Sequence, residues 1–174
     1  GSKLELIVEN GRIIAITSIL LNNNIEINGE DGQGGKVIIY GDVILAQYTE
    51  SVKNIEITGN VKISSQSQAE VKFSNVKIYG KVTFTEETVA KQIMVASLAP
   101  IAAATTKIKI VFNDSSVAII EINKEDVALY AGGTTEVAEV NVKSNTTIDA
   151  EGIIFPKIVL GQGATNVEIN ASIK

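Results

Sequence analysis

Histidine, cysteine and tryptophan are absent from this 174-residue chain, and it has only two prolines and one methionine. Without histidine, no imidazole can serve as general base, proton shuttle or metal ligand. Ser-His-Asp and Cys-His catalysis are excluded with it. Without cysteine, a disulfide framework and thiolate metal sites are excluded, while the cellular compartment stays open on that count. Basic residues are outnumbered: 15 Lys and Arg face 20 Asp and Glu, a net charge of -5 with the two signs interspersed. That balance disfavours nucleic acid, which requires a basic face to displace counterions. No apolar run approaches the roughly 20 residues of a membrane helix, and no signal-peptide pattern is read in these residues, which leaves a signal ahead of Gly1-Ser2 open. Membrane insertion is therefore not expected.

What the chain does have is aliphatic material. Apolar residues make up 45% of it, mostly Ile, Val and Ala, against 5% aromatics. β-branched side chains are stiff at χ1 and fit a pleated surface, so this bias predicts an all-β protein. Along most of the sequence apolar residues alternate with polar or small ones, the period of a strand. One phrase recurs: Asn54-Ile55-Glu56-Ile57-Thr58-Gly59-Asn60-Val61-Lys62-Ile63 and Asn75-Val76-Lys77-Ile78-Tyr79-Gly80-Lys81-Val82-Thr83-Phe84. A degenerate copy runs from Glu139 to Ile148, and half copies open at Asn24 and Asn166.

The two full phrases start 21 residues apart, and Glu139 lies 64 beyond Asn75, close to three such periods. A repeat near 20 residues built from short strands and turns is the mark of a solenoid, because one coil cannot bury its apolar row alone. The fold predicted is a right-handed parallel β-helix of about seven or eight coils at roughly 20 to 25 residues per turn. The internal glycine would bend the chain between two strands through positive φ, and the recurrent Asn would ladder between coils. A β-sandwich or β-roll is the competing fold, kept open by the Asn-Gly hairpin signals at 10–11 and 28–29. Thr85-Glu86-Glu87-Thr88, followed by Val89, Ile93 and Ala96, reads as a short capped helical excursion over about 85–104. Leu4 to Leu21 reads as the first coil or a cap. Gly1-Ser2 reads as a tag remnant, leaving 3–174 as a single domain expected to belong to a larger multidomain protein.

Three groups of residues are candidates for function. Tyr40, Tyr79 and Tyr130 follow the same apolar pattern, in Val37-Ile-Ile-Tyr40-Gly, Val76-Lys-Ile-Tyr79-Gly and Val127-Ala-Leu-Tyr130-Ala. Pointing outward, they would offer ring faces and hydroxyls to sugars; the alternative is that they cover a neighbouring turn. Tyr48 lies outside this frame. The loop Asn28 to Gly35 carries Glu30 and Asp31, carboxylates of the kind Ca²⁺ takes, although it matches no calcium-loop spacing and reads equally as a solvated turn. Asp149 with Glu151, and Glu125 with Asp126, are generic acidic pairs. Glu26, Glu56 and Glu168 share a frame that reads as a solvated stripe. No outward pair of carboxylates recurs as glycoside hydrolysis would need, and the sole Arg, Arg12, is remote in sequence from every acidic pair, so no catalytic residue is assigned.

The phrases Asn54-Ile-Glu-Ile-Thr-Gly-Asn-Val61, Phe73-Ser-Asn-Val-Lys-Ile-Tyr-Gly80 and Val140-Asn-Val-Lys-Ser-Asn-Thr-Thr-Ile148 resemble β-helical segments of surface proteins from thermophilic Gram-positive bacteria, which often accompany S-layer homology domains. Within that group the chain is most similar to family 54 carbohydrate-binding modules. The likeness spans about 22–174 and lies in repeat texture rather than in an invariant motif, so no family site residue carries over. It implies a right-handed β-helix that binds insoluble β-glucan, xylan or chitin. Calcium is compatible with it, and no cofactor is required. The expectation is a non-catalytic, extracellular or cell-surface module that holds an enzyme on an insoluble polysaccharide, monomeric within its parent chain. A structural spacer or adhesin is the rival reading, and a polysaccharide lyase or hydrolase the third.

Overall fold

The computed structural model describes residues 3–9, 12–21, 26–30, 35–45, 51–64, 70–85 and 108–174. Those residues form strands and turns with no helix, arranged in two sheets. One sheet contains β1 (Lys3–Glu9), β2 (Arg12–Leu21), β4 (Val37–Ile39), β5 (Asp42–Leu45), β7 (Ile55–Ile57), β8 (Val61–Ser64), β10 (Lys77–Thr85), β12 (Ser116–Ile122), β14 (Glu136–Val142) and β16 (Ile158–Leu160). The other contains β3 (Glu26–Asn28), β6 (Ser51–Lys53), β9 (Glu70–Ser74), β11 (Ile108–Asn113), β13 (Val127–Gly132), β15 (Thr146–Phe155) and β17 (Val167–Ile173). From β3 onward the chain alternates between the sheets, and every pairing of these strands with one another is parallel. The result is a parallel β-helix.

The predicted stacking of the two full phrases holds residue for residue. Glu56 pairs with Lys77, Ile57 with Ile78, Val61 with Val82 and Ile63 with Phe84, each 21 positions on. The degenerate copy is out of phase: Val140 pairs with Ile120, which pairs with Val82, so Glu139 continues the column of Lys81 rather than that of Asn75. Both half copies run into the opposite sheet, where Glu26 pairs with Ser51 and Val167 with Thr146. The Glu26, Glu56 and Glu168 frame is therefore divided between two sheets.

The coil count is corrected to about five turns from seven or eight. Two stretches account for the difference. Residues 3–21 are spent on β1 and β2, which pair antiparallel with Glu9 opposite Arg12, on either side of the Asn10-Gly11 pair. β2 then pairs in parallel with β5, so the hairpin closes one end of the coil and is the cap rather than a coil. In the middle, Lys72 pairs with Val111, 39 positions on, so one turn consumes nearly twice the usual length. The expected helical excursion over 85–104 falls, beyond Thr85, outside the described residues.

Inside, each coil contributes to continuous apolar rows. Val43, Val61, Val82, Ile120 and Val140 form one, and Leu45, Ile63, Phe84, Ile122 and Val142 another, all with exposures of 0–1%. In the opposite sheet Val71, Ile110, Leu129 and Ile148 align, next to Val52, Phe73, Phe112 and Ala131. Phe73 and Phe112 stack with centroids 4.8 Å apart and planes 14° apart, so the ring spacing equals that of neighbouring strands.

Two corners hold the register. At the first, Asn54, Asn75 and Asp114 adopt φ of 54°, 55° and 50°, and the same column continues through Gly133 at 64°. One coil further, at the same 19-residue offset that relates Val127 to Thr146, stands Gly152 at 82°. Asn, Asp and Gly are the residues that tolerate this left-handed region. The anticipated amide ladder is present: Asn75 Nδ2 donates to Asn54 Oδ1 (2.8 Å), and Asn54 Nδ2 donates to Asn28 Oδ1 (2.9 Å). At the second corner the glycines have a different reason from the one expected. Gly59 and Gly80 do not have positive φ; a Cβ at Gly59 would collide with the Gly41 carbonyl, and one at Gly80 with the Gly59 carbonyl. Coil-on-coil approach, not backbone handedness, demands them.

Two substitutions test these corners by equilibrium urea unfolding. Asn75→Ala should cost about 1–2 kcal/mol through the left-handed penalty. Gly80→Ala should cost about 1–3 kcal/mol by overpacking.

Candidate functional site

Alternation in a strand sends every second side chain outward. On the stretch of sheet before the glycine corner, this produces two outward columns parallel to the coil axis. One is Ile38, Glu56, Lys77, Ser116 and Glu136. The next outward position, two residues on, forms the other: Tyr40, Thr58, Tyr79, Ala118 and Ala138. Tyr40 and Tyr79 are 55% and 50% exposed, large aromatic areas for a surface that could have been polar. Tyr79 is held in place, since its hydroxyl donates to Glu56 Oε2 at 3.2 Å and Lys77 Nζ lies 4.5 Å from its ring centroid.

Beyond Tyr79 the surface drops. The register breaks between Ile78 and Lys81, so that Tyr79 and Gly80 together face the single Ala118, a β-bulge. Ala118 and Ala138 then continue the column with the smallest possible side chains. They line a groove of about 640 Å³ together with Tyr79, Ile154 and Pro156, while Lys77, Ser116, Glu136 and Lys174 supply polar groups. Ile154 is 61% exposed on this side, an apolar wall facing solvent. Mainly apolar lining with a few convergent polar groups is the usual composition of a small-molecule or saccharide cleft.

Past the glycine corner the outward face is ionic. Glu121 Oε2 receives Lys81 Nζ at 2.6 Å, and its Oε1 receives Lys143 Nζ at 3.1 Å and Asn123 Nδ2 at 2.8 Å. Lys81 above all, then Asn123 and Lys143, hold the Glu121 carboxyl at about 2, against burial that would raise it. Glu139 is lowered in the same way by Lys157 and Asn141. On the opposite sheet Glu70 is lowered, first by Lys109 and also by Lys72. These groups stay ionised, the reverse of what a general acid requires.

The structure brings two of the three anticipated tyrosines together and separates the third. Tyr130 stands on the other sheet, opposite Val111 and Asp149, with Lys109 Nζ 4.7 Å from its ring. Both sheets alternate with the same period, so the frame that placed Tyr130 outward could not say on which face. Tyr48 and Asp31 lie outside the described residues. The Glu30 amide donates to Asn28 Oδ1, and Glu30 bridges to Lys36 across the loop. Among the described residues, no group of three or more His, Cys, Asp and Glu could hold a metal ion. Asp149 accepts from Asn170, and Asp126 turns a corner at φ 58°. Sequence reasoning missed Ala118, Ala138, Ile154, Pro156 and Lys174. Small residues carry no chemical signature; the signal was the column of positions stacked above Tyr79.

Comparison of the chain with protein-family models, with curated proteins and with solved structures gave no match.

The ionic face makes stability acid-sensitive in a defined window. Glu121 has a folded value near 2, below the ordinary 4.5, so its contribution is complete above 4.5 and is lost as pH falls toward 2. The full displacement is worth about 3 kcal/mol, and screening of Lys81 and Lys143, which are 40% and 55% exposed, reduces it. Urea unfolding at pH 7, 4.5 and 2.5 should show this loss, and Glu121→Gln should flatten the profile over that range.

Proposed function

We propose that this chain is a non-catalytic polysaccharide-binding module, extracellular or at the cell surface, that holds an attached enzyme on an insoluble glycan. The observation that carries the reading is the column in which exposed Tyr79 opens onto the alanine-floored groove. An aromatic wall satisfies the apolar face of a pyranose ring, and the flanking Lys77, Ser116 and Glu136 offer donors and acceptors to its hydroxyls. A column of outward positions stacked at a constant coil spacing suits a polymer, whose own units repeat. The coil would wind in the right-handed sense that parallel crossovers almost always take.

A binding role rather than catalysis is favoured by how the nearby carboxylates are engaged. Glu56 accepts the Tyr79 hydroxyl, and Glu121 and Glu139 are lowered by lysines. Glu121 and Glu139, held ionised, are the reverse of the acid partner of a glycosidase pair, whose proton is retained. The reading needs no bound metal. A calcium ion at Glu30 and Asp31 is a separate expectation, which a thermal-shift comparison with and without EDTA would test.

Pull-down on insoluble glucan, xylan and chitin tests the proposal. Tyr79→Ala should weaken retention about three- to tenfold, the worth of one aromatic contact. Ala118→Arg, which fills the groove from an outward position, should abolish it. Unchanged retention by both variants, with native circular dichroism and unfolding midpoint, would refute the reading.

A further inference from the structure

The tyrosine column has a spacing as well as a chemistry. Tyr40 and Tyr79 occupy the same position on coils two apart, with Thr58 on the coil between, because Ile39 pairs with Ile57 and Ile57 with Ile78. Neighbouring coils are separated by the inter-strand distance, so two coils span about 9.6 Å. That is close to the disaccharide repeat of a β-1,4-linked glycan drawn out as a two-fold ribbon. It is unrelated to the advance of a β-1,3-linked glucan, which coils.

We infer that the glycan lies along the coil axis, across the strands, and that the preferred ligand is a neutral β-1,4-linked polymer in its extended two-fold form. This rests on the polysaccharide-binding reading and specifies its ligand. From Tyr40 to Ala138 the column covers four coil steps, about 19 Å, or two disaccharide units. Tyr40 and Tyr79 then meet equivalent rings of successive units, and the rings that follow the one on Tyr79 enter the groove over Ala118 and Ala138. The intervening Thr58 is exposed and short, leaving the ring between the two tyrosines unobstructed.

Charge along the strip points to a neutral polymer. Glu56 and Glu136 are matched by Lys77 and Lys174, so no excess of either sign accompanies the tyrosines. A polyuronate would meet as many carboxylates as ammonium groups. A neutral chain requires ring faces and hydroxyl partners, which the strip provides.

The experiment measures binding of the purified chain to microcrystalline cellulose, chitin and curdlan, and to cello-oligosaccharides of two to six rings. The expected result is retention on cellulose or chitin at least tenfold above curdlan. Oligosaccharide affinity should rise steeply once the ligand can reach both tyrosines. Tyr40→Ala should remove that length dependence while keeping the residual binding of the disaccharide. Equal or stronger binding to curdlan would overturn the ribbon geometry and leave the polysaccharide reading standing, as would an unchanged length dependence in Tyr40→Ala. Binding to none of the three solids, nor to insoluble xylan beside them, would overturn both.

Discussion

The constraint on which this molecule depends is the left-handed corner between its two sheets, repeated one coil above another. Asn54, Asn75, Asp114, Gly133 and Gly152 all take positive φ there. Because each coil turns at the same point in the same conformation, the strands on either side start in register. The inward side chains then fall into rows rather than a general apolar interior. The amide bonds from Asn75 to Asn54 and from Asn54 to Asn28 tie successive corners together. Where Asn gives way to Asp114, the carboxylate assumes that task by accepting from the Thr134 amide and hydroxyl on the next coil. The chemistry of the ladder changes along the axis while its geometry persists.

From that corner follow both the interior and the outward columns. Parallel stacking at strand spacing allows Phe73 to lie flat on Phe112, and the same stacking sets Tyr40 and Tyr79 in one line with Thr58 between them. The bulge at Tyr79-Gly80 is the point of departure. It takes up one extra residue in β10 relative to β12, and the column passes from aromatic to alanine at that step. A relief map of ridge and hollow is thus produced by a change of two side-chain types on an otherwise uniform frame.

The architecture was legible where sequence and stacking share a period. The phrase at Asn54 and its copy at Asn75 are spaced by one undisturbed coil, and the strand pairs on both sides of the glycine corner keep that offset. The phrase at Glu139 misled because the turn between β9 and β11 is nearly double length. Counting in multiples of 21 from Asn75 therefore lands about half a phrase away. The glycines were legible as corners but not in their cause: a carbonyl of the neighbouring coil packed against the missing Cβ leaves no trace in a single sequence. Tyr130 shows the remaining blind spot, since alternation assigns a side to each residue and leaves the sheet undetermined. The groove was illegible for a simpler reason, that its floor is made of two alanines.

The hairpin of β1 and β2 bears on how coils can be added. Within the helix every strand meets neighbours that run the same way, and slanted, evenly spaced hydrogen bonds could in principle template a further copy indefinitely. β1 runs the other way, so a strand that reached its far side in the sense of the coils would have to pair with it antiparallel, with bonds alternately close and wide instead of evenly slanted. A coil of the same design arriving there meets a strand of opposite sense, and the parallel stacking is not continued. The reversal between β1 and β2 thus sets a boundary to the parallel stack, and the identity of the pairing, not of the side chains, is what changes there.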